Sequence, residues 1–115
     1  NLKKSTSIEI KYNNTLTQVS LEIGNHILRI IQELLNNSIK HSKAKNIWIN
    51  LFQENSHIKL TYQDDGIGFN TQNKNIGIGL NSIESRVISM NSQFEINSQI
   101  DHGFTFKLRI PNEKN

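Results

Sequence analysis

The residues best suited to chemistry on a ligand lie on one side of a long helical pattern. At about 100° per residue, four polar side chains fall within roughly 100° of one another: Glu33, Asn37, Lys40 and His41. A carboxylate, an amide oxygen, an ammonium and an imidazole on one face can bind a hard cation and contact phosphate oxygens. A helix packed on a sheet exposes its opposite side to solvent, and that side is normally polar. Solvent exposure alone would therefore also explain this strip.

A second candidate is the run Asp64-Asp65-Gly66-Ile67-Gly68-Phe69, which directly follows a predicted strand. It offers an acidic acceptor at a strand end, with glycines that let a planar ligand approach the backbone. An ordinary Asp-Gly turn would use the same residues. A calcium-binding loop is not expected, because the Asp/Asn spacing and the glutamate at its twelfth position are missing.

The third candidate is Gly77-Ile78-Gly79-Leu80, which opens the second predicted helix. Glycines just before a helix N-terminus expose backbone N–H groups to an anion, and the helix dipole adds to the attraction. A Walker A loop is absent, since no glycine is followed by Lys-Ser or Lys-Thr. The Rossmann fingerprint also fails, because Ser82 stands at the third glycine position. A lone Gly-x-Gly pattern is weak evidence.

Hydrophobic periodicity predicts the elements that must position these residues. Two helices are expected: one after an N-cap at Ser20, ending near Ser42, and one from Gly79 or Leu80 to Met90. Their predicted apolar stripes are Ile23, Ile27, Leu28, Ile31, Leu34, Leu35 and Ile39 in the first, and Leu80, Ile83, Val87 and Ile88 in the second. The predicted strands are Ser7–Asn13 (half-buried), Leu16–Val19, Asn46–Gln53, His57–Gln63, Gln93–Ser98 and Phe104–Ile110. Together they predict an α+β two-layer sandwich, with helices on one face of a mixed, mostly antiparallel sheet.

Composition narrows the function classes. A chain of 115 residues is long enough for one core but not for two. The net charge of +3 comes from scattered lysines, with no basic stripe interleaved with aromatics, so a nucleic-acid partner is not expected. The absence of cysteine excludes disulfides and thiolate metal sites. No apolar run approaches the roughly 18 residues of a membrane span, and no signal peptide opens the chain. The start at Asn1 suggests an excised domain.

The three patterns, in this order along the chain, resemble the motifs of the catalytic domains of bacterial sensor histidine kinases. These belong to the wider GHKL superfamily of gyrase, heat-shock chaperone, kinase and mismatch-repair ATPases. QELLNNSIKHSKAKNIWINL (32–51) resembles the family's asparagine box, DDGIGF (64–69) its first glycine box, and GIGLNSIESRV (77–87) its second. GFTFKLRIP (103–111) resembles its closing glycine-threonine strand. The resemblance covers nearly the whole chain.

The resemblance implies the Bergerat ATP-binding fold over residues 1–115, with ATP and Mg²⁺ as cofactors. The short lid at 70–76 and the Asn-x-x-Lys-His box look most like the subfamily paired with nitrate/LuxR-type response regulators. The implied partners are a response regulator and a dimerisation domain, from the same parent, that carries the phosphoacceptor histidine. The implied state is a cytoplasmic domain, monomeric by itself, of a homodimeric parent whose membrane anchoring is left open.

The resemblance also implies roles for residues of the asparagine box. Asn37 matches the Mg²⁺ ligand, which acts through its amide oxygen. Glu33, one turn earlier, matches the acidic residue that orients or deprotonates the phosphoryl acceptor. Lys40 and His41 match positions on the phosphate side of the nucleotide.

The glycine boxes supply the base and phosphate contacts that the resemblance implies. Asp64 should accept a hydrogen bond from the adenine amine, and Thr105 should lie near adenine through a water. Family members usually carry Thr directly after the last glycine, where this chain has Phe104. The remaining nucleotide-binding positions are Gly66, which leaves room for the base, Gly77 and Gly79, which present amides to phosphate, and Gly68 and Leu80.

Several functions remain open at this point. The chain offers phosphoryl positioning but no acceptor histidine in a suitable setting, so a histidine kinase domain would be half of an enzyme. An anti-sigma-factor serine kinase shares the fold. An ATP-gated clamp of the gyrase or chaperone type is another alternative, although a seven-residue lid leaves little room for its dimerising parts. A degenerate interaction domain that binds no nucleotide is the fourth.

Overall fold

A computed structural model describes residues 7–67, 80–98 and 103–112, without the side chains of His41 and Ser42. The elements are β1 (Glu9–Asn14), α1 (Leu21–Asn37), a π-helical turn (Ser38–Ser42), β2 (Asn46–Glu54), β3 (His57–Asp64), α2 (Leu80–Ser89), β4 (Gln93–Ser98) and β5 (Phe104–Pro111). Neither described helix is long and apolar enough to cross a bilayer.

The strands form one sheet in the order β1-β2-β3-β5-β4. β1 runs parallel to β2 and the other neighbours are antiparallel, as the prediction of a mixed, mostly antiparallel sheet requires. The turn between β2 and β3 has Asn55 at φ 58°, a left-handed conformation that Asn tolerates better than most residues. The parallel pair is possible because α1 crosses between β1 and β2.

Both helices pack on the same face of the sheet. Alternate residues of the central strands point to that face, for example Ile47, Ile49 and Leu51 in β2. They share one core with Ile30 and Leu34 of α1. Further members from α2 and β5 are Ile83, Val87, Phe106, Leu108 and Ile110. The chain therefore has the expected α+β two-layer architecture.

Helix α1 begins where the sequence predicts. The Ser20 hydroxyl accepts a hydrogen bond from the Ile23 backbone N–H at 3.1 Å, satisfying one otherwise unpaired donor of the first turn. The predicted strand Leu16–Val19 is wrong. The Leu16 N–H donates to the Asn14 side chain at 3.0 Å instead of to a strand, and the chain then runs without regular structure into the helix cap.

The predicted apolar stripes are partly wrong. Leu28 and Ile39, and Ile88 in α2, are each more than half exposed, whereas Ile30, absent from the predicted stripe, is fully buried. Leu28 and Ile88 each follow a buried residue and lie about 100° away from it around the helix. Ile39 lies in the π-helical turn, where the spacing of side chains departs from that of an α-helix.

Strand β1 is exposed along its whole length, contrary to the half-buried strand predicted. Ile10 and Tyr12 pair with core-facing Ile47 and Ile49, so they lie on the helix-bearing face of the sheet. They nevertheless remain 47% and 55% exposed. The alternation was correctly identified, but it does not reveal that β1 is an edge strand beyond the cover of the helices.

Helices α1 and α2 also contact each other through polar groups. Arg86 Nη1 donates to His26 Nδ1 at 3.1 Å, and the Ser89 hydroxyl lies 3.4 Å from His26 Nε2. The Ser89 hydroxyl also donates to the Arg86 carbonyl at 2.9 Å. His26 therefore links the two helices and helps to orient α2.

Gly103 lies against the end of β3 in a conformation that favours glycine. Its φ is +85°, and a Cβ at this position would lie 2.6 Å from the Asp64 backbone oxygen. No other residue type fits there without displacing backbone. The absence of a side chain at Gly103 therefore allows the start of β5 to lie directly against Asp64, the last residue of β3.

We expect Gly103→Ala to destabilise the domain by at least about 1–3 kcal/mol, since it adds both left-handed strain and a backbone clash. Gly24→Ala is the matched control, because the nearest described atom to its new Cβ outside the helix backbone would be Val19 Cγ1, at 4.0 Å. That variant should stabilise the domain by about 0.5–1 kcal/mol, as alanine favours the helix. Urea unfolding measures both, and equal effects of the two variants would contradict the close packing at Gly103.

Candidate functional site

The structure brings the end of α1 onto the end of β3. The Ser38 hydroxyl donates to Asp64 Oδ2 at 2.6 Å, and Asn37 is the residue just before Ser38. Two residues that are 27 positions apart in the sequence, Asn37 and Asp64, therefore belong to one small region. This region joins the predicted asparagine box to the first predicted glycine box.

Asp64 is a buried carboxylate with a donor on each oxygen. Its relative exposure is 2%, and its Oδ1 accepts the Gly66 N–H at 3.0 Å while Oδ2 accepts the Ser38 hydroxyl. It lies on the helix-bearing face, where Phe104 is its partner in the sheet. A carboxylate oxygen can accept more than one hydrogen bond, so Asp64 keeps acceptor capacity for a ligand.

A buried tyrosine supports Ser38 from the sheet. The Tyr62 hydroxyl lies 2.5 Å from Ser38 Oγ and donates to the Leu34 carbonyl of α1 at 3.0 Å. Tyr62 is fully buried, and burial raises the pKa of its phenol well above the usual range. Tyr62 therefore stays protonated and acts as a donor.

The π-helical turn at Ser38–Ser42 carries the phosphate-side residues predicted from the sequence. Lys40 is exposed there, and the side chain of His41 lies outside the described structure. The turn ends at Lys43, whose φ of 56° reverses the chain toward β2. Such π turns inside helices occur frequently at functional sites, because they shift the side chains that follow.

Glu33 and Asn37 are four residues apart on α1 and therefore share one side of the helix. Both are half-buried. Within the described residues, no three His, Asp or Glu side chains cluster as a metal site. The donor set nevertheless fits Mg²⁺ bound together with a phosphorylated ligand, because this ion commonly takes few protein oxygens and completes its shell with phosphate oxygens and water.

The adjacent carboxylate, Asp65, has a different environment. It is exposed, and its Oδ1 accepts the backbone N–H groups of Lys45 and Asn46 at 2.8 and 2.9 Å. Its Oδ2 accepts the Asn46 side-chain amide at 2.8 Å. These hydrogen bonds, the Asn46 amide foremost, lower the pKa of Asp65 below its ordinary value of 3.8. Asp65 therefore links the loop that carries Asp64 to the start of β2.

The structure separates Thr105 from the other predicted site residues. Thr105 pairs with Gln63 and lies on the sheet face opposite Asp64. There it lines a cavity of about 270 Å³ with Glu95, Asn97 and Lys107. The side chain on the Asp64 face is Phe104, because neighbouring strand residues alternate between faces. The adenine-side role predicted for Thr105 receives no support from this geometry.

The second predicted glycine box lies mostly outside the described residues. Gly68, Gly77 and Gly79 belong to this undescribed part of the chain, as does the predicted lid at 70–76. Leu80 is described as the first residue of α2, where it packs against the core. The roles predicted for these glycines stay predictions.

Sequence reasoning assigned no individual role to four residues that shape the site: Ser38, Tyr62, Asp65 and Gly103. For two of them, the sequence contains a periodicity signal that places the residue at a core-facing position. Ser38 continues the helical spacing of buried α1 residues, and Tyr62 continues the alternation of Ile58 and Leu60 in β3. A hydroxyl at a core-facing position requires a hydrogen-bond partner, which predicts a buried polar contact without naming it.

The Asp65 contacts predict a pH dependence. Because the folded-state pKa lies below the ordinary value of 3.8, the ionised carboxylate stabilises the fold above that pH. This contribution is lost as the pH falls through the folded-state pKa. We therefore expect Asp65→Asn to lower the free energy of unfolding at pH 7, and we expect this difference from wild type to shrink as the pH falls below 3.8 and through the folded-state pKa.

Urea unfolding of both proteins across this pH range tests the prediction, with Glu95→Gln, an exposed carboxylate on β4, as the control. A difference between wild type and Asp65→Asn that does not change with pH would contradict it.

Comparison with known proteins agrees with this geometry. Residues 22–114 match the family described as histidine kinase-, DNA gyrase B-, and HSP90-like ATPases. The chain is 30% identical over 114 residues to the sensor protein VraS of Staphylococcus saprophyticus, covering 98% of this chain and 33% of that protein. It is 32% identical over 110 residues to the sensor histidine kinase LiaS of Bacillus subtilis, covering 95% and 31%. The chain thus spans about a third of these curated relatives.

Solved structures share the fold. A histidine kinase domain from Erythrobacter litoralis superposes with a TM-score of 0.82 at 16% identity, covering 94% of this chain and 53% of that one. The histidine kinase AdeS of Acinetobacter baumannii gives a TM-score of 0.78 at 18% identity, covering 95% and 56%. With the family match over most of its length, this chain belongs to the histidine kinase-, DNA gyrase B-, and HSP90-like ATPases.

Proposed function

We propose that this chain is a histidine kinase catalytic domain, which binds Mg·ATP and donates the γ-phosphoryl group to a histidine on a separate dimerisation domain. The observation that carries the proposal is the junction of α1 and β3. The Ser38–Asp64 hydrogen bond of 2.6 Å brings a buried carboxylate next to the helix turn that carries Asn37. An acceptor for a base and a ligand for a phosphate-bound cation are thereby held in one region.

Asp64 accounts for recognition of adenine. Adenine presents an exocyclic amine, which donates, whereas guanine presents a carbonyl oxygen at the same ring position. A carboxylate accepts hydrogen bonds and repels a carbonyl oxygen. Burial of Asp64 strengthens both effects, since little water competes for the carboxylate.

Asn37 and Glu33 account for the phosphoryl end of the reaction. Asn37 supplies an amide oxygen for Mg²⁺, and Lys40 supplies an exposed ammonium one turn later for phosphate oxygens. In this proposal Glu33, on the same side of α1 as Asn37, orients or deprotonates the incoming acceptor. Phosphoryl transfer needs mainly positioning and neutralisation of charge, which such residues can provide.

The acceptor and the regulator are proposed as partners outside this chain. The curated relatives named sensor protein or sensor histidine kinase are about three times as long, which leaves room for a phosphoacceptor domain in a parent of that kind. We propose that the parent supplies a dimeric helical domain with the acceptor histidine and passes the phosphoryl group to a response regulator.

The first test of this proposal is nucleotide binding. Calorimetry should show that Mg·ADP and Mg·ATP bind in preference to the guanine nucleotides. Asp64→Asn should weaken ADP binding by about 1.5–3 kcal/mol, because it replaces a charge-assisted acceptor. Glu95→Gln, on the far face of the sheet, is the control and should bind as wild type does. Equal affinity for GTP and ATP would contradict the role of Asp64.

The second test is phosphoryl transfer. With radiolabelled ATP, this chain alone should remain unlabelled, and addition of the parent's helical domain should give acid-labile, base-stable label on that domain. Asn37→Ala should abolish the label, whereas Asn36→Ala, at the adjacent exposed amide, should retain it. Glu33→Gln should slow transfer more than it weakens nucleotide binding, because a group acting on the acceptor works mainly in the transition state.

Other outcomes of these experiments would identify the alternatives. Acid-stable label on a serine of a sigma-factor antagonist would indicate the anti-sigma kinase. Loss of ATP affinity alone in Glu33→Gln would make Glu33 a binding residue. No nucleotide binding at all would leave a degenerate interaction domain.

A further inference from the structure

The carboxylate proposed to recognise adenine is held by a chain of buried hydroxyls. Tyr62 contacts Ser38 Oγ at 2.5 Å, and Ser38 contacts Asp64 Oδ2 at 2.6 Å. All three residues are at most 2% exposed. The two strand residues project from one face of β3, and Ser38 reaches them from the start of the π-helical turn that follows α1. Neither hydroxyl belongs to the set of predicted nucleotide-binding residues.

The hydrogen bonds that join Tyr62, Ser38 and Asp64 all run in one direction, from donor to acceptor toward the carboxylate. An ionised carboxylate can only accept, so the single Ser38 hydrogen is committed to Asp64. The Tyr62 hydrogen is then shared between Ser38 Oγ and the Leu34 carbonyl. Tyr62 can serve both because burial raises the pKa of its phenol and keeps that hydrogen in place.

This arrangement controls the orientation of the Asp64 carboxylate. The Gly66 N–H holds Oδ1 at 3.0 Å and the Ser38 hydroxyl holds Oδ2, so the carboxylate plane is restrained at both oxygens. The remaining acceptor directions are therefore set before any ligand arrives. A restrained acceptor loses less conformational freedom when a donor binds, which increases both affinity and selectivity for that donor.

We propose that Ser38, supported by Tyr62, is a positioning residue that aims Asp64 at the exocyclic amine of the base and so sets nucleobase selectivity. The proposal rests on the nucleotide-binding function proposed above and adds its specificity determinant. A hydroxyl pair with a purely structural role would affect stability and leave selectivity unchanged. The ratio of affinities for two bases separates these possibilities.

The experiment compares the 115-residue chain with its variants by calorimetry against two probes in the presence of Mg²⁺. The probes are ADP and purine riboside 5′-diphosphate, which lacks only the amine. Ser38→Ala should reduce the preference for ADP by up to about tenfold, with little change for the amine-free probe, because a misaligned Asp64 loses part or all of its charge-assisted hydrogen bond to the amine. Tyr62→Phe should reduce the preference less, because Ser38 remains in place.

Ser92→Ala is the matched control, since Ser92 is also a serine whose partly buried hydroxyl donates to a carbonyl, that of Met90 at 3.0 Å, and within the described residues it has no hydrogen bond to the Asp64 region. It should keep the wild-type preference, and urea unfolding of every variant reports its stability. If Ser38→Ala does not fold, Tyr62→Phe carries the test by itself.

The outcomes distinguish this inference from the function on which it rests. A wild-type preference for ADP that survives unchanged in folded Ser38→Ala, or in Tyr62→Phe where that variant alone folds, overturns the positioning role and leaves the proposed function intact. A wild-type chain that binds neither probe, or binds both equally, contradicts the base recognition itself and the inference with it. Selectivity that falls in Ser38→Ala and Tyr62→Phe, but not in Ser92→Ala, supports the inference.

Discussion

The burial of one carboxylate organises this domain. An ionised group removed from water is costly unless donors replace its hydration, and Asp64 obtains them from two different parts of the chain. Ser38 comes from the end of α1, and Gly66 comes from the loop after β3. Satisfying the charge therefore requires that the helix end, the strand end and the loop meet at one place. Gly103 completes the arrangement by approaching the Asp64 backbone more closely than any side chain would allow.

The two neighbouring aspartates show how environment assigns different roles to the same side chain. Asp64 points into the helix-bearing face and accepts one hydroxyl and one backbone N–H, which leaves acceptor capacity for a ligand. Asp65 lies at the surface, and its two oxygens accept three hydrogen bonds from Lys45 and Asn46. Asp65 therefore contributes to the architecture of the loop, whereas Asp64 is available for recognition.

Helix α1 serves the core and the site with different sides. Ile30 and Leu34 pack in the hydrophobic core, while Glu33 and Asn37 lie on a half-buried flank. The Leu34 carbonyl also receives the Tyr62 hydroxyl, so the sheet contacts the helix backbone just before the π-helical turn. The contacts that pack the helix on the sheet therefore also position the residues proposed to bind the ligand. Substitutions in this region should be interpreted with stability measured alongside binding.

The sequence by itself determined the elements and the residue types available for chemistry. Apolar periodicity placed both helices and five strands, and the Ser20 cap located the start of α1, because these signals depend on neighbours in the chain. The ordered boxes also identified Asn37 and Asp64 as candidates for one site. Local patterns could not show that β1 is an uncovered edge strand, since exposure depends on where the helices end in space.

Only the tertiary structure decided how the site is assembled. Ser38 and Tyr62 are 24 positions apart, and their contact exists because α1 crosses β3 at one particular point. The opposite faces of Phe104 and Thr105 follow from the register between β3 and β5. A shift of one residue in that register would exchange the two side chains. Such crossings and registers arise from packing of the whole core, and no short stretch of sequence contains that information.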